Sequence, residues 1–125
     1  MPSSRIAALA FAADVTAVVV FAAVGRTSHG ETGDLLGLLG TAAPFLVGLA
    51  AAWTTPTVRA APTGWRAGTA VLAGTVVLGL LLRAGFTGRL PLTFAVISLV
   101  SLAVLLLGWR ALSLVVAHQA AQRVR

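Results

Sequence analysis

The chain is predicted to be an all-α polytopic membrane protein, a four-helix bundle forming a single transmembrane domain over residues 1–125, and three observations predict it. Hydrophobic residues make up 58% of the sequence and charged residues only 10%, against about a quarter charged in soluble domains. The apolar residues gather in four runs, 6–24, 35–55, 65–83 and 91–112. Each run is close to the roughly 20 helical residues that cross a hydrocarbon core about 30 Å thick. Short segments rich in Arg, Gly and Pro separate them. Spans of this length use roughly 80 positions, which leaves no soluble domain.

The first run, Ile6 to Val24, follows Pro2, Ser3 and Ser4, which supply N-cap chemistry, and Arg5 at the membrane edge. It is apolar except for Thr16 and a carboxylate, Asp14, near its middle. A carboxylate at the centre of a membrane helix costs about 2.5 to 3.5 kcal/mol on translocon scales, so it is expected to be paired, protonated or on a polar path. The same acid interrupts the apolar stretch a cleaved signal peptide needs, so the first span is expected to be retained. Arg26 to Asp34 is a polar loop broken by Gly30 and Gly33.

In the second run Gly37, Thr41, Pro44 and Gly48 recur at three- and four-residue steps, which makes a narrow face for close helix approach, with a proline kink expected at its centre. Pro56 to Gly64 cannot be helical throughout, because Pro56 and Pro62 bias their predecessors away from helix. The third run adds Gly68, Thr75 and Gly79, with Arg83 following on the same face. Pro91 suits the first turn of the fourth helix. That helix carries Ser98, Ser101 and Gly108 along one side, then Trp109 and Arg110, and continues as a helical tail to about residue 122.

The net charge of +6 comes wholly from arginine. Because the arginines flank apolar spans, they are read as orienting charges and headgroup partners, and no nucleic-acid partner is expected. Arg5, Arg59, Arg66, Arg110, Arg123 and Arg125 fall on the side of the termini, and Arg26, Arg83 and Arg89 on the other. By the positive-inside rule both termini are cytoplasmic, in the cytoplasmic membrane. Trp53, Trp65 and Trp109 all fall at that same side, as one half of an aromatic belt would. With no cysteine, disulfides and thiolate chemistry are excluded. His29 and His118 lie on opposite sides, so no metal or haem site is expected within one subunit, and no cofactor. No nucleophile triad, phosphate loop or H-E-x-x-H spacing appears among so few carboxylates, so the chain is not expected to be an enzyme.

Asp14 followed by Phe21 and Gly25-Arg26-x-Ser28-His29, then Pro44-Phe45-Leu46-x-Gly48 with Trp53, Leu82-Arg83, and Leu107-Gly108-Trp109-Arg110 together form a pattern spread over nearly the whole chain. In this set and order the sequence resembles a family of small bacterial and archaeal membrane proteins catalogued as domain of unknown function 3054. The resemblance implies a four-helix membrane fold and supplies no activity.

Two constellations are the candidate sites. Asp14 lies nine residues above Arg5, about 13 Å along a helix, and Arg110 eight residues above His118, about 12 Å. The matching depths make a buried pair possible, with a proton- or ion-handling carboxylate and a protonated, unpaired acid as the alternatives. Arg26, Ser28, His29 and Arg83 form the second, an anion-binding mouth on the outer face or, alternatively, ordinary cations at span ends reaching for headgroups. The leading reading is a small channel or transporter for an ion or small solute, with membrane lipid around it and assembled as a homo-oligomer through the small-residue faces. The alternative is a non-catalytic scaffold or accessory subunit in which Asp14 and Arg110 form a structural pair.

Overall fold

The computed structural model describes residues 2–28 and 35–123, and among them it holds helices and no strand. In chain order these are α1 (Pro2–Ser28), α2 (Leu35–Trp53), the short α3 (Pro56–Ala60), α4 (Trp65–Thr87) and α5 (Leu92–Arg123). The four long helices are long and apolar enough to cross a membrane. α1 packs on α2 and α5, and α4 packs on the same two, so the helices form a ring in which every neighbour is antiparallel. Both ends of the described chain and α3 therefore share one end of the bundle, and the α4 to α5 turn lies at the other.

The closest pair is α2 with α4, and glycine explains it. A Cβ on Gly48 would lie 2.6 Å from the backbone oxygen of Gly74 and 3.0 Å from the Cα of Thr75. Gly79 leaves the space into which the Phe45 ring fits. The small residues are therefore covered within one chain: Gly48 and Gly79 join α2 to α4, and Gly68 of α4 meets Leu107 and Arg110 of α5. Gly108 differs: it meets nothing within 4 Å, so it is not a packing contact inside this chain. Between the helices Val18, Phe21, Phe45, Leu49, Leu102 and Leu106 close an apolar core. The outside is equally apolar, with Leu9, Leu36, Leu81, Phe86 and Leu92 exposed, the arrangement a lipid solvent requires.

Several ends differ from the sequence expectation, each for a local reason. α2 runs through Pro44 and stops at Trp53, two residues before the expected end. There the hydroxyls of Thr54 and Thr55 donate to the carbonyls of Ala51 and Ala52 at 2.6 Å, so the side chains supply donors for the last turn. Pro56 then opens α3, where its missing N–H costs nothing. α4 continues one turn past Arg83, because Gly88 takes the left-handed conformation (φ 78°) and its N–H caps the Ala84 carbonyl. α5 carries the expected tail without a break, 32 residues in one helix.

Candidate functional site

Asp14, in the middle of α1, is completely buried and so is Arg110 of α5, apart from 2% of its surface. The two meet in a bidentate ion pair: Nη1 of Arg110 donates to Oδ1 at 2.7 Å and Nη2 to Oδ2 at 2.8 Å. Each carboxylate oxygen also accepts from an indole. Trp109 Nε1 donates to Oδ1 at 2.8 Å and Trp53 Nε1 to Oδ2 at 3.0 Å. Thus α1, α2 and α5 converge on one carboxylate. The guanidinium is fixed in turn, with Nε donating to the Pro62 carbonyl at 3.0 Å and Nη1 also directed at the Leu106 carbonyl at 3.2 Å. Its carbon lies 4.4 Å from the centre of the Trp109 ring, a stacked cation on an aromatic face. Gly68 of α4 admits the stem, since a Cβ there would lie 2.8 Å from Arg110 Cδ. All four membrane-length helices and the segment after α3 therefore meet at this pair.

The paired depths of Asp14 and Arg110 follow from the sequence, whereas the two indoles do not. The sequence puts three tryptophans in a belt, but only Trp65 is exposed as a belt residue, beside Arg66. Trp53 and Trp109 turn inward because a buried carboxylate needs more donors than one guanidinium offers, and an indole N–H in an apolar setting needs an acceptor. Adjacency of Trp109 to Arg110, and Trp53 as the last residue before a Thr-Thr-Pro stop, were the available signals.

At the opposite end the helices part around a cavity of about 440 Å³. Arg26, Thr41, Arg83, Thr87, Arg89 and Ser98 give it polar walls drawn from every long helix and the α4 to α5 turn. Arg26 donates to Thr41 Oγ1 at 3.1 Å, tying α1 to α2. Arg83 lies over Phe94 with its guanidinium carbon 4.5 Å from the ring centre. The Thr87 hydroxyl sits between the carbonyls of Arg83 and Arg89, at 2.9 and 3.0 Å, which holds the turn carrying Arg89 against the helix end. Ser98 is completely buried and its hydroxyl has no hydrogen-bond partner. Of the outer residues expected together, Arg26 and Arg83 do border one space. His29 lies outside the described residues, and of Ser28 only the helical backbone is described. Thr75, expected on this face of α4, is buried against Gly48 of α2, its hydroxyl also unpartnered. Among the described residues no three His, Asp or Glu side chains come close enough to hold a metal ion.

The two polar layers have a fixed spacing. Asp14 and Arg26, Thr41 and Trp53, and Ser98 and Arg110 are each twelve residues apart on their helices, about 18 Å of rise. A hydrocarbon core is about 30 Å thick, so both layers cannot reach headgroups at once unless long side chains bridge the gap. Arginines at 26 and 83 have that reach. Asp14 does not, and the protein itself must satisfy it.

Four apolar membrane-length helices, lipid-like outside and joined inside by a buried ion pair, define a multi-pass helical membrane protein. Within that class, the chain belongs to the family described as protein of unknown function (DUF3054), whose model matches residues 11–113. The match takes in Asp14, Trp53, Trp109 and Arg110 and ends before the tail of α5. No curated protein and no solved structure matches the chain.

Proposed function

We propose that the protein is a non-catalytic membrane module whose Asp14 and Arg110 lock the register of its helices, with both termini on the cytoplasmic side of the cytoplasmic membrane. One observation carries this reading: the carboxylate accepts four hydrogen bonds from buried or half-buried groups and has no exposed surface. An acid that relays protons or ions needs a route to water and a spare lone pair as it cycles. Here both oxygens are occupied by fixed donors, which favours a structural part. With Arg110 neutralised by Asp14, five arginines remain at the end of the termini (Arg5, Arg59, Arg66, Arg123 and Arg125) against Arg26, Arg83 and Arg89 at the other, and this bias supports the orientation.

Transport of an ion or small solute is the second reading, and the arginine-lined cavity at the other end favours it. Assembly into a homo-oligomer would then use surfaces other than the glycines at 48, 68 and 79, which are covered within the chain. Proteoliposomes separate the two. The structural reading expects no ion or proton flux above the lipid background for the parent or for Asp14→Asn. A flux in the parent that disappears in an Asp14→Asn variant retaining its fold would overturn it.

A further inference from the structure

The cavity between the helices has a combination of features that the clasp formed by Asp14 and Arg110 at the other end does not account for. Arg83 and Arg89 flank the opening, and among the described residues no carboxylate lies within ion-pair distance of either. Pro91, the residue before α5, and Thr93 and Phe94 in its first turn border the same space, and the helix start adds partial positive charge. Deeper in, the walls are apolar: Phe21 of α1 and Phe94 and Ile97 of α5. Ser98 lies at the deep end, six residues beyond Leu92 and so about 9 Å along the helix. Its buried hydroxyl lacks a partner, which is unfavourable in a closed interior.

We propose that this cavity binds an anionic amphiphile entering from the adjoining leaflet. Its phosphate or carboxylate head pairs with Arg83 and Arg89, its apolar body rests on Phe21, Phe94 and Ile97, and an oxygen about 9 Å from the entrance bonds Ser98. The residues dictate that chemistry in three parts. Arginine at a membrane end recognises oxyanions in a planar, two-pronged fashion. A purely inorganic anion would leave the aromatic and aliphatic walls empty, and a hydrocarbon alone would leave two guanidiniums and a hydroxyl unmatched. At about 440 Å³ the space falls within the range of small-ligand sites. It takes a headgroup with its glycerol and the start of an acyl chain. Arg83 is already oriented by Phe94, and Thr87 holds the turn bearing Arg89, so little ordering remains to be done on binding.

Binding in the cavity does not depend on the Asp14 to Arg110 pair, which lies at the opposite end of the bundle. The test is native mass spectrometry and calorimetric titration of the full chain in a neutral maltoside detergent, with three probes. Lysophosphatidate carries the anion, the oxygen and the chain; lysophosphatidylcholine has its head charge neutralised; glycerol 3-phosphate lacks the chain. The expected result is one lysophosphatidate per chain, bound at least about tenfold more tightly than either other probe. The double variant Arg83→Gln with Arg89→Gln should lose about tenfold or more of that affinity while its unliganded melting temperature stays near the parent's. Ser98→Leu, which fills the deep end, should displace the ligand with both arginines still present. Equal binding of lysophosphatidate by the parent and the double variant would overturn the proposal. So would glycerol 3-phosphate binding as tightly as lysophosphatidate, which marks a soluble-anion site, or lysophosphatidylcholine doing so, which marks adsorption of any amphiphile.

Discussion

Arg110 and Arg83 stand at opposite ends of the same bundle, and the protein treats them in opposite ways. Arg110 is buried and surrounded by acceptors, with a carboxylate, two carbonyls and an aromatic face. Arg83 is half-exposed, touches the Phe94 ring, and has no carboxylate within ion-pair distance among the described residues. The difference teaches where a cation in an apolar protein stabilises the fold and where it is left available. A guanidinium that closes a polar network is structural, and removing its partner strands a buried charge. Arg83, at the cavity wall, meets an aromatic face and no carboxylate among the described residues.

The sharpest way to break this comparison is to cut the clasp. Asp14→Leu or Arg110→Leu alone should cost about 3 to 5 kcal/mol, because each leaves an uncompensated charge in the bundle. The pair of changes made together should recover most of the loss, since a buried ion pair replaced by apolar residues of similar volume is often neutral. Denaturant titration in mixed micelles, read by tryptophan fluorescence in a Trp65→Phe background so that Trp53 and Trp109 report, checks both. A double variant as unstable as the singles would mean that the indoles and the Pro62 carbonyl, rather than the ion pair, set the cost.

The contacts around the clasp come next in size. Gly48→Ala forces a methyl against the backbone of Gly74 and Thr75, which cannot yield as a side-chain end can. Overpacking of this kind should cost about 1 to 3 kcal/mol. Gly68→Ala acts through Arg110, because the methyl meets its Cδ and the Leu107 Cδ2, both at 2.8 Å. Elsewhere an arginine stem would move aside, but here its head is held on Asp14. The expected loss is again about 1 to 3 kcal/mol, and it should shrink sharply in the Asp14→Leu, Arg110→Leu background. A double-mutant cycle by thermal melting measures that coupling; strict additivity would detach Gly68 from the clasp.

Trp109→Phe and Trp53→Phe probe the donors that pattern reading misses. Each removes one charge-assisted hydrogen bond, a change of about 1.5 to 3 kcal/mol where the acceptor is ionised. Trp109 should be the larger, since its ring also carries the stacked guanidinium. Equal small effects, measured in the same melts, would mean that Arg110 alone satisfies the acid.

How much of this was legible in the sequence depends on what each feature required. The spans came from run lengths, and the depth match of Asp14 and Arg110 from counting residues on straight helices. Both are one-dimensional properties. The indole donors were hidden because a tryptophan near a helix end reads as a belt residue until its rotamer and neighbours are known. The fate of the small residues was hidden for a similar reason: a stripe shows that something approaches closely, but whether the partner is α4 or another copy is a question of three-dimensional order. Ser98 looked like one hydroxyl on a small-residue side. Its meaning comes from the cavity, which exists only where α1, α2, α4 and α5 part.

The smallest expected effect falls on the other arginine and completes the contrast. Arg83→Gln removes a cation from the cavity wall and its contact with Phe94, which at a partly exposed site is worth about 0.5 to 1 kcal/mol. It leaves behind no unpaired acid among the described residues, so nothing is stranded when the charge goes. The melting temperature of the unliganded protein should therefore move by far less than for Arg110→Gln, which removes the bidentate partner of Asp14 and leaves the carboxylate to two indoles. If the two substitutions proved equally damaging, Arg83 would be a fold residue like Arg110, and the cavity end would lose its claim to cations held in reserve.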